Sequence, residues 1–141
     1  GAIRRGLGFL LSIIVMAFDP LGHIRIAVSD FEKSREFYTS LFAELKFKQV
    51  SEKGWVSPEG LGIWIIQAAH PGHRYIFEAP GLHHLCLKAQ SREEVDRIHQ
   101  FLVENHVSIV AAPQKYPQYT PDYYAVFFSD PDGIELEVAY Y

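Results

Sequence analysis

Apolar and polar residues alternate strictly from His23 to Val28, with Ile24, Ile26 and Val28 on one face and His23, Arg25 and Ala27 on the other. A period of two is that of a strand with one buried face. A helix should follow at once. Ser29 or Asp30 can cap it, Glu32 stands three residues after Ser29 as in a capping box, and Phe37, Tyr38, Leu41 and Leu45 recur at helical spacing. Three short strands are predicted next, around Phe47 to Val50, Trp55 to Ser57 and Gly62 to Ala68, punctuated by Gly54, Pro58 and Gly60.

The pattern then starts again. His84 to Ala89 alternates as the first strand does, with Leu85 and Leu87 opposite His84. Ser91 and Glu94 form a capping box, and Val95, Ile98 and Leu102 line one helix face. Further strands are predicted at Val107 to Ala111, Tyr123 to Ser129 and Ile134 to Tyr140. A repeat of roughly 60 residues with only two copies means paired βαβββ units, not a solenoid. The fold class is α+β: two tandem βαβββ modules in an open, cupped mixed sheet with helices on its outer face. We divide the chain into an N-terminal apolar extension (1–20) and one domain (21–141), comprising module one (21–70), a linker (71–81) and module two (82–141). Ala112 to Pro121, where Pro113, Pro117 and Pro121 interleave with Tyr116 and Tyr119, is either a stiff aromatic lid or a plain connecting loop.

Composition narrows the class. A chain of 141 residues, 48% hydrophobic and 21% charged, is ordinary globular material of single-domain size. Its single cysteine, Cys86, excludes an intrachain disulfide and a cysteine zinc knuckle, and fits a cytoplasmic protein. A net charge of −4 gives no footprint for nucleic acid or an anionic membrane. The extension carries Arg4-Arg5 and an apolar run from Leu7 to Phe18, shorter than the roughly 20 residues that span a bilayer. We expect a packed or interface segment. A secretory signal with Val15-Met16-Ala17 at its cleavage site, or an extension upstream of a start at Met16, are the alternatives.

Parity also points the polar residues. The apolar faces of the strands must seek the helices, so His23 and His84 look away from them. In the last strand Ile134, Leu136 and Val138 are apolar, which leaves Glu135 and Glu137 on the histidine face. Burying charge on a sheet face costs several kcal/mol unless it is paired, hydrated or metal-bound. Two imidazoles and a carboxylate with open positions describe a mononuclear divalent-metal site. The bland reading is hydrogen-bonded side chains on a wet face. His83 adjoins His84 but has the opposite parity, so it is expected at the strand entrance or on the helix side. Cys86 is expected to be an inert small apolar residue.

At this point the sequence resembles a family. His23-Ile24-Arg25-Ile26-Ala27-Val28-Ser29-Asp30 with Ser34 and Phe37-Tyr38, and the closing Pro121-Asp122-Tyr123-Tyr124-Ala125-Val126-Phe127-Phe128 and Asp130-Pro131-Asp132-Gly133-Ile134-Glu135-Leu136-Glu137, are similar to vicinal oxygen chelate proteins, the glyoxalase, bleomycin-resistance and extradiol dioxygenase superfamily. The resemblance spans about Leu21 to Tyr141. It implies one divalent metal (Zn, Ni, Fe or Mn) held by His23, His84 and Glu137, with Glu135 as substitute. It implies Lewis-acid catalysis on a small substrate with vicinal oxygens, as a glyoxalase-like lyase or isomerase or an extradiol-type dioxygenase, with Glu137 and Tyr123 as the catalytic candidates. A fourth-strand carboxylate ligand is missing from Gly62-Ile63-Trp64-Ile65-Ile66-Gln67, where Gln67 could offer an amide oxygen. Arg25, Trp64, Gln67, Tyr124 and Phe127 are the candidate substrate contacts. A homodimer is implied too, with the N-terminal apolar segment at an interface. The alternative is a non-catalytic drug-binding protein of the bleomycin-resistance type.

Overall fold

A computed structural model describes residues 19–141, so the expectations for the N-terminal apolar run lie outside the described residues. Module one runs β1 (His23–Val28), α1 (Phe31–Glu44), β2 (Lys48–Ser51), β3 (Gly54–Val56) and β4 (Gly62–Gln67); module two runs β5 (Leu85–Lys88), α2 (Arg92–Glu104), β6 (Ile109–Lys115), β7 (Tyr124–Ser129) and β8 (Glu135–Tyr140). Each module builds its own four-stranded mixed sheet, ordered β1-β4-β3-β2 and β5-β8-β7-β6. β1 pairs parallel with β4, and β5 with β8, across the helical crossover that a parallel pair needs; the remaining pairs are antiparallel.

One core serves both modules. Phe42 of α1 is fully buried and packs its ring against Tyr38 (centroids 5.4 Å apart), Phe47 (4.8 Å) and Trp55 (5.3 Å). Val95, Ile98 and Leu102 of α2 are fully buried in the same core as Leu87, Val126, Phe128, Leu136 and Val138. That leaves the other face of each sheet free of its helix. Asp30 caps α1, its carboxylate accepting from the Lys33 amide at 3.2 Å. Ser91 caps α2, and Glu94 reaches back to the Gln90 amide at 2.7 Å.

Side chains from the Asp130-Pro131-Asp132-Gly133 turn join module two to module one. The buried Asp130 carboxylate accepts from the Tyr38 hydroxyl at 2.7 Å and from the amides of Asp132 and Ile134, each at 2.9 Å. Asp132 accepts from the Ser29 amide at 3.0 Å and from the Ser29 hydroxyl. Arg97 of α2 pairs with the carboxylate of Glu44, the last residue of α1, and donates to the Glu44 carbonyl at 3.0 Å.

The expected loop at Ala112 to Pro121 begins later, because β6 continues through Pro113 to Lys115. Among the described residues β6 pairs only with β7, and it has irregular register on both sides of Ala111. An edge strand tolerates a residue with no N–H.

Candidate functional site

The site grows from β8. Its odd positions leave the core face, yet Glu135 is only 9% and Glu137 only 2% exposed. Parallel register sets Cys86 beside Glu137 and Leu85 beside Leu136, so His84, one residue ahead of β5, meets the same face. The His84 Nε2 lies 3.1 Å from Glu137 Oε2. The Tyr123 hydroxyl donates to Glu137 Oε1 at 2.5 Å. Both oxygens of the buried carboxylate are thus engaged. The His84 side chain is itself one-third exposed, so the group opens to solvent.

An aromatic wall surrounds the carboxylate. Phe127 meets His84 edge-on (6.1 Å) and Tyr116 at 5.6 Å; Tyr119 packs on Tyr123 (5.2 Å), and Tyr141 stacks on Tyr123 (4.8 Å). This environment keeps protons in place. Burial, with the hydrogen bond to Glu137, pushes the Tyr123 phenol well above its ordinary range, so it acts as a donor. Burial first, and then the negative Glu137, push the Cys86 thiol up to about 12. Cys86 is therefore a poor nucleophile. In a disulfide-exchange assay near pH 8, native protein should react at least about tenfold more slowly than the same chain in denaturant.

The other predicted residues fall elsewhere. His23 lies on the module-one sheet, its ring edge-on to Trp64 at 6.1 Å. It is not within ligand reach of His84 and Glu137; among the described residues, the three side chains whose ligand atoms all lie within 4.8 Å of one another are His83, His84 and Glu135. Trp64 lies over two glycines: a Cβ at Gly54 would come 2.3 Å from its Nε1, and one at Gly62 would come 2.2 Å from its ring. Arg25 borders a groove of about 440 Å³ with Tyr75, Ile76 and Leu82.

Three expectations need correction. Gln67 is not free to offer its amide oxygen, which accepts from the Phe31 amide at 3.1 Å while its nitrogen donates to the Ser29 carbonyl at 2.9 Å; it tethers the start of α1. Tyr124 does not line the Glu137 face. It alternates with Tyr123, and its hydroxyl reaches Asp96 on α2 at 2.5 Å. His83 does stand at the strand entrance, one of the two places expected for it, but it is not turned away from its neighbour: the two Nδ1 atoms are 2.7 Å apart. β5 begins only at Leu85, so strand parity does not govern residue 83. Sequence reasoning also passes over Tyr141, whose position beside Tyr123 follows from no spacing rule.

The donor set suits a borderline divalent cation. Imidazole nitrogen and carboxylate oxygen are the ligand types of zinc and its first-row neighbours. His84 and Glu137 pair an accessible imidazole with a deeply buried carboxylate, a donor pair of those types.

The Glyoxalase/Bleomycin resistance protein/Dioxygenase superfamily model matches residues 20–138, and the chain belongs to that superfamily. It is 32% identical over 124 residues to YqjT of Bacillus subtilis (strain 168), an uncharacterized protein, covering 82% of this chain and 94% of that one. The crystal structure of a candidate glyoxalase from Bacillus halodurans superposes with a TM-score of 0.70 at 28% identity, covering 86% of this chain and 96% of its own. A glyoxylase/bleomycin resistance protein/dioxygenase domain from Frankia sp. EAN1pec has the same fold, with a TM-score of 0.70 at 22% identity over 87% of this chain and 98% of its own. Among the described residues no helix is long and apolar enough to cross a membrane.

Proposed function

We propose that the protein is a divalent-metal-dependent enzyme acting on a small substrate with vicinal oxygens, in the manner of the glyoxalase and dioxygenase members of its superfamily. The observation that carries this reading is Glu137, a carboxylate 2% exposed on a sheet face, set 3.1 Å from an accessible imidazole. Such a charge is costly to bury for structure alone.

In this reading His84 and Glu137 hold the metal (Zn, Ni, Fe or Mn), and His23 completes the set from a second copy of the chain in a homodimer. When bound, the metal supplies Lewis-acid stabilisation of charge developing on two neighbouring substrate oxygens. The chain does the rest. Tyr123 keeps its proton and occupies Glu137 Oε1, which directs Oε2 towards His84. Phe127, Tyr116 and Tyr141 give the substrate apolar walls and displace water from around the carboxylate. Trp64, held flat beside His23, offers a facing wall from the partner copy.

Metal-free protein titrated separately with Zn²⁺, Ni²⁺, Mn²⁺ and anaerobic Fe²⁺ should take up one ion per chain for at least one of them. No measurable affinity for any of the four would overturn the reading.

A further inference from the structure

We propose that the groove between β1 and the linker is a binding site for an amphipathic oxyanion, a carboxylate or phosphate carried on a small apolar body. The proposal does not rest on the metal reading above. Its first support is a pattern of unspent charge. Arg35, Arg92 and Arg97 each pair with a carboxylate. Arg25 and Arg74, the remaining arginines among the described residues, form no ion pair and donate no hydrogen bond there, and both line this one groove. Counter-charge is not scarce, since the chain carries 17 acidic residues against 13 basic ones. Yet among the described residues none that lines the groove is acidic. A guanidinium presents a planar fork of donors that matches a carboxylate or a phosphate.

The backbone adds a neutral donor. β1 forms one edge of its sheet. The Gly22 and Val28 carbonyls accept from the amides of Gly62 and Ala68, at the two ends of β4. Alternation along the strand therefore turns the Arg25 amide to the free edge, which the groove follows from Ile24 to Ala27.

The rest of the lining is apolar. Ile76 and Leu82 of the linker are 68% and 45% exposed, and both face this groove with Ile134. Their spacing is set in advance, because the Tyr75 hydroxyl lies 2.8 Å from each of the Leu82 and His83 carbonyls and ties the two ends of this wall together. The volume of about 440 Å³ falls within the roughly 300–1,000 Å³ of small-molecule sites. A bare inorganic anion would leave the apolar wall uncovered, and a neutral apolar molecule would leave two cations unanswered. An oxyanion on an apolar body uses both.

The test uses the full chain freed of metal, so that an anion held by a metal is not mistaken for one in the groove. Octanoate and octyl phosphate are the probes and octanol the neutral control, followed by calorimetry and by the amide ¹H–¹⁵N shifts. At least one of the two anions should bind at a single site, with shifts concentrated at Ile24 to Ala27 and Arg74 to Leu82. The tighter of the two identifies the headgroup. Octanol should bind at least about tenfold more weakly, R25Q and R74Q should each cost about fivefold or more, and the double variant should abolish binding. R35Q, whose guanidinium is already engaged by Glu32, should bind as wild type does. I76S should also weaken binding, which a merely electrostatic surface would not show. Arg25, Arg74 and Ile76 are all exposed, so these variants should keep the fold by circular dichroism. No binding of either anion, octanol bound as tightly, or full affinity in the double variant or in I76S would overturn the assignment.

Discussion

Replacing Asp130 by alanine should destabilise the protein by about 3–5 kcal/mol, read as a lower urea midpoint. Asp130 is 5% exposed and collects three donors: the fully buried Tyr38 hydroxyl and the amides of Asp132 and Ile134. Alanine would strand them all, and an unpaired buried donor costs about 1–3 kcal/mol. Its position multiplies the damage, since Tyr38 belongs to α1 of module one while Asp130 precedes β8 of module two. Burial holds the Asp130 carboxyl above its ordinary range, and its hydrogen bonds only partly offset that. The folded state therefore binds this proton more tightly than the unfolded one. The stability that Asp130 contributes is fully present below the unfolded value and declines as pH rises through the folded one. D130N, which keeps an acceptor and sheds the charge, should retain most of the stability and flatten that acid-side slope.

His84→Ala should weaken binding of the preferred metal by about a hundredfold or more, with the fold intact by circular dichroism. His84 is the ligand candidate common to both donor arrangements, one with Glu137 and one with His83 and Glu135. Its side chain is one-third exposed, so removing it leaves no large void. Glu137→Gln separates ligation from packing. The amide keeps an acceptor for the Tyr123 hydroxyl and nearly the same volume but gives up the negative charge. Its melting temperature should stay within a few degrees of wild type while metal affinity falls by a comparable factor. A Glu137→Gln protein that binds metal as wild type does would remove the carboxylate from the ligand set.

What the sequence makes legible here is mostly what period and parity control. Alternation along Glu135 to Tyr140 is enough to place Glu137 opposite Leu136 and Val138, and the repeat register is enough to single out His84. Parity also separates Tyr123 from Tyr124, although the sequence does not say which of them takes the site side. Three things escape these rules. His83 sits before the strand, where alternation has no force, and its contact with His84 depends on a backbone held by Tyr75. The amide of Gln67 is used by the start of α1, a bond across 36 residues that no local pattern encodes. The placement of one module on the other is set by Asp130 and Asp132 reaching Tyr38 and Ser29 across about 100 residues. The sequence shows that turn among the residues that carry the family resemblance, but not that it is the fastening. For the same reason, periodicity assigns His23 a face but says nothing of its distance from His84.

The outer strand β6 has a bearing on how the molecule behaves in crowded solution. A free sheet edge is a template on which another chain can lay a strand, and long flat edges seed aggregates. β6 is interrupted by Pro113, which offers no N–H, and its register shifts twice within seven residues, between Ile109 and Ala111 and again between Ala111 and Gln114. Such a rim cannot present an unbroken row of donors and acceptors to a stranger. The irregular segment that delays the start of the tyrosine loop thus also guards this edge of module two against strand-by-strand growth.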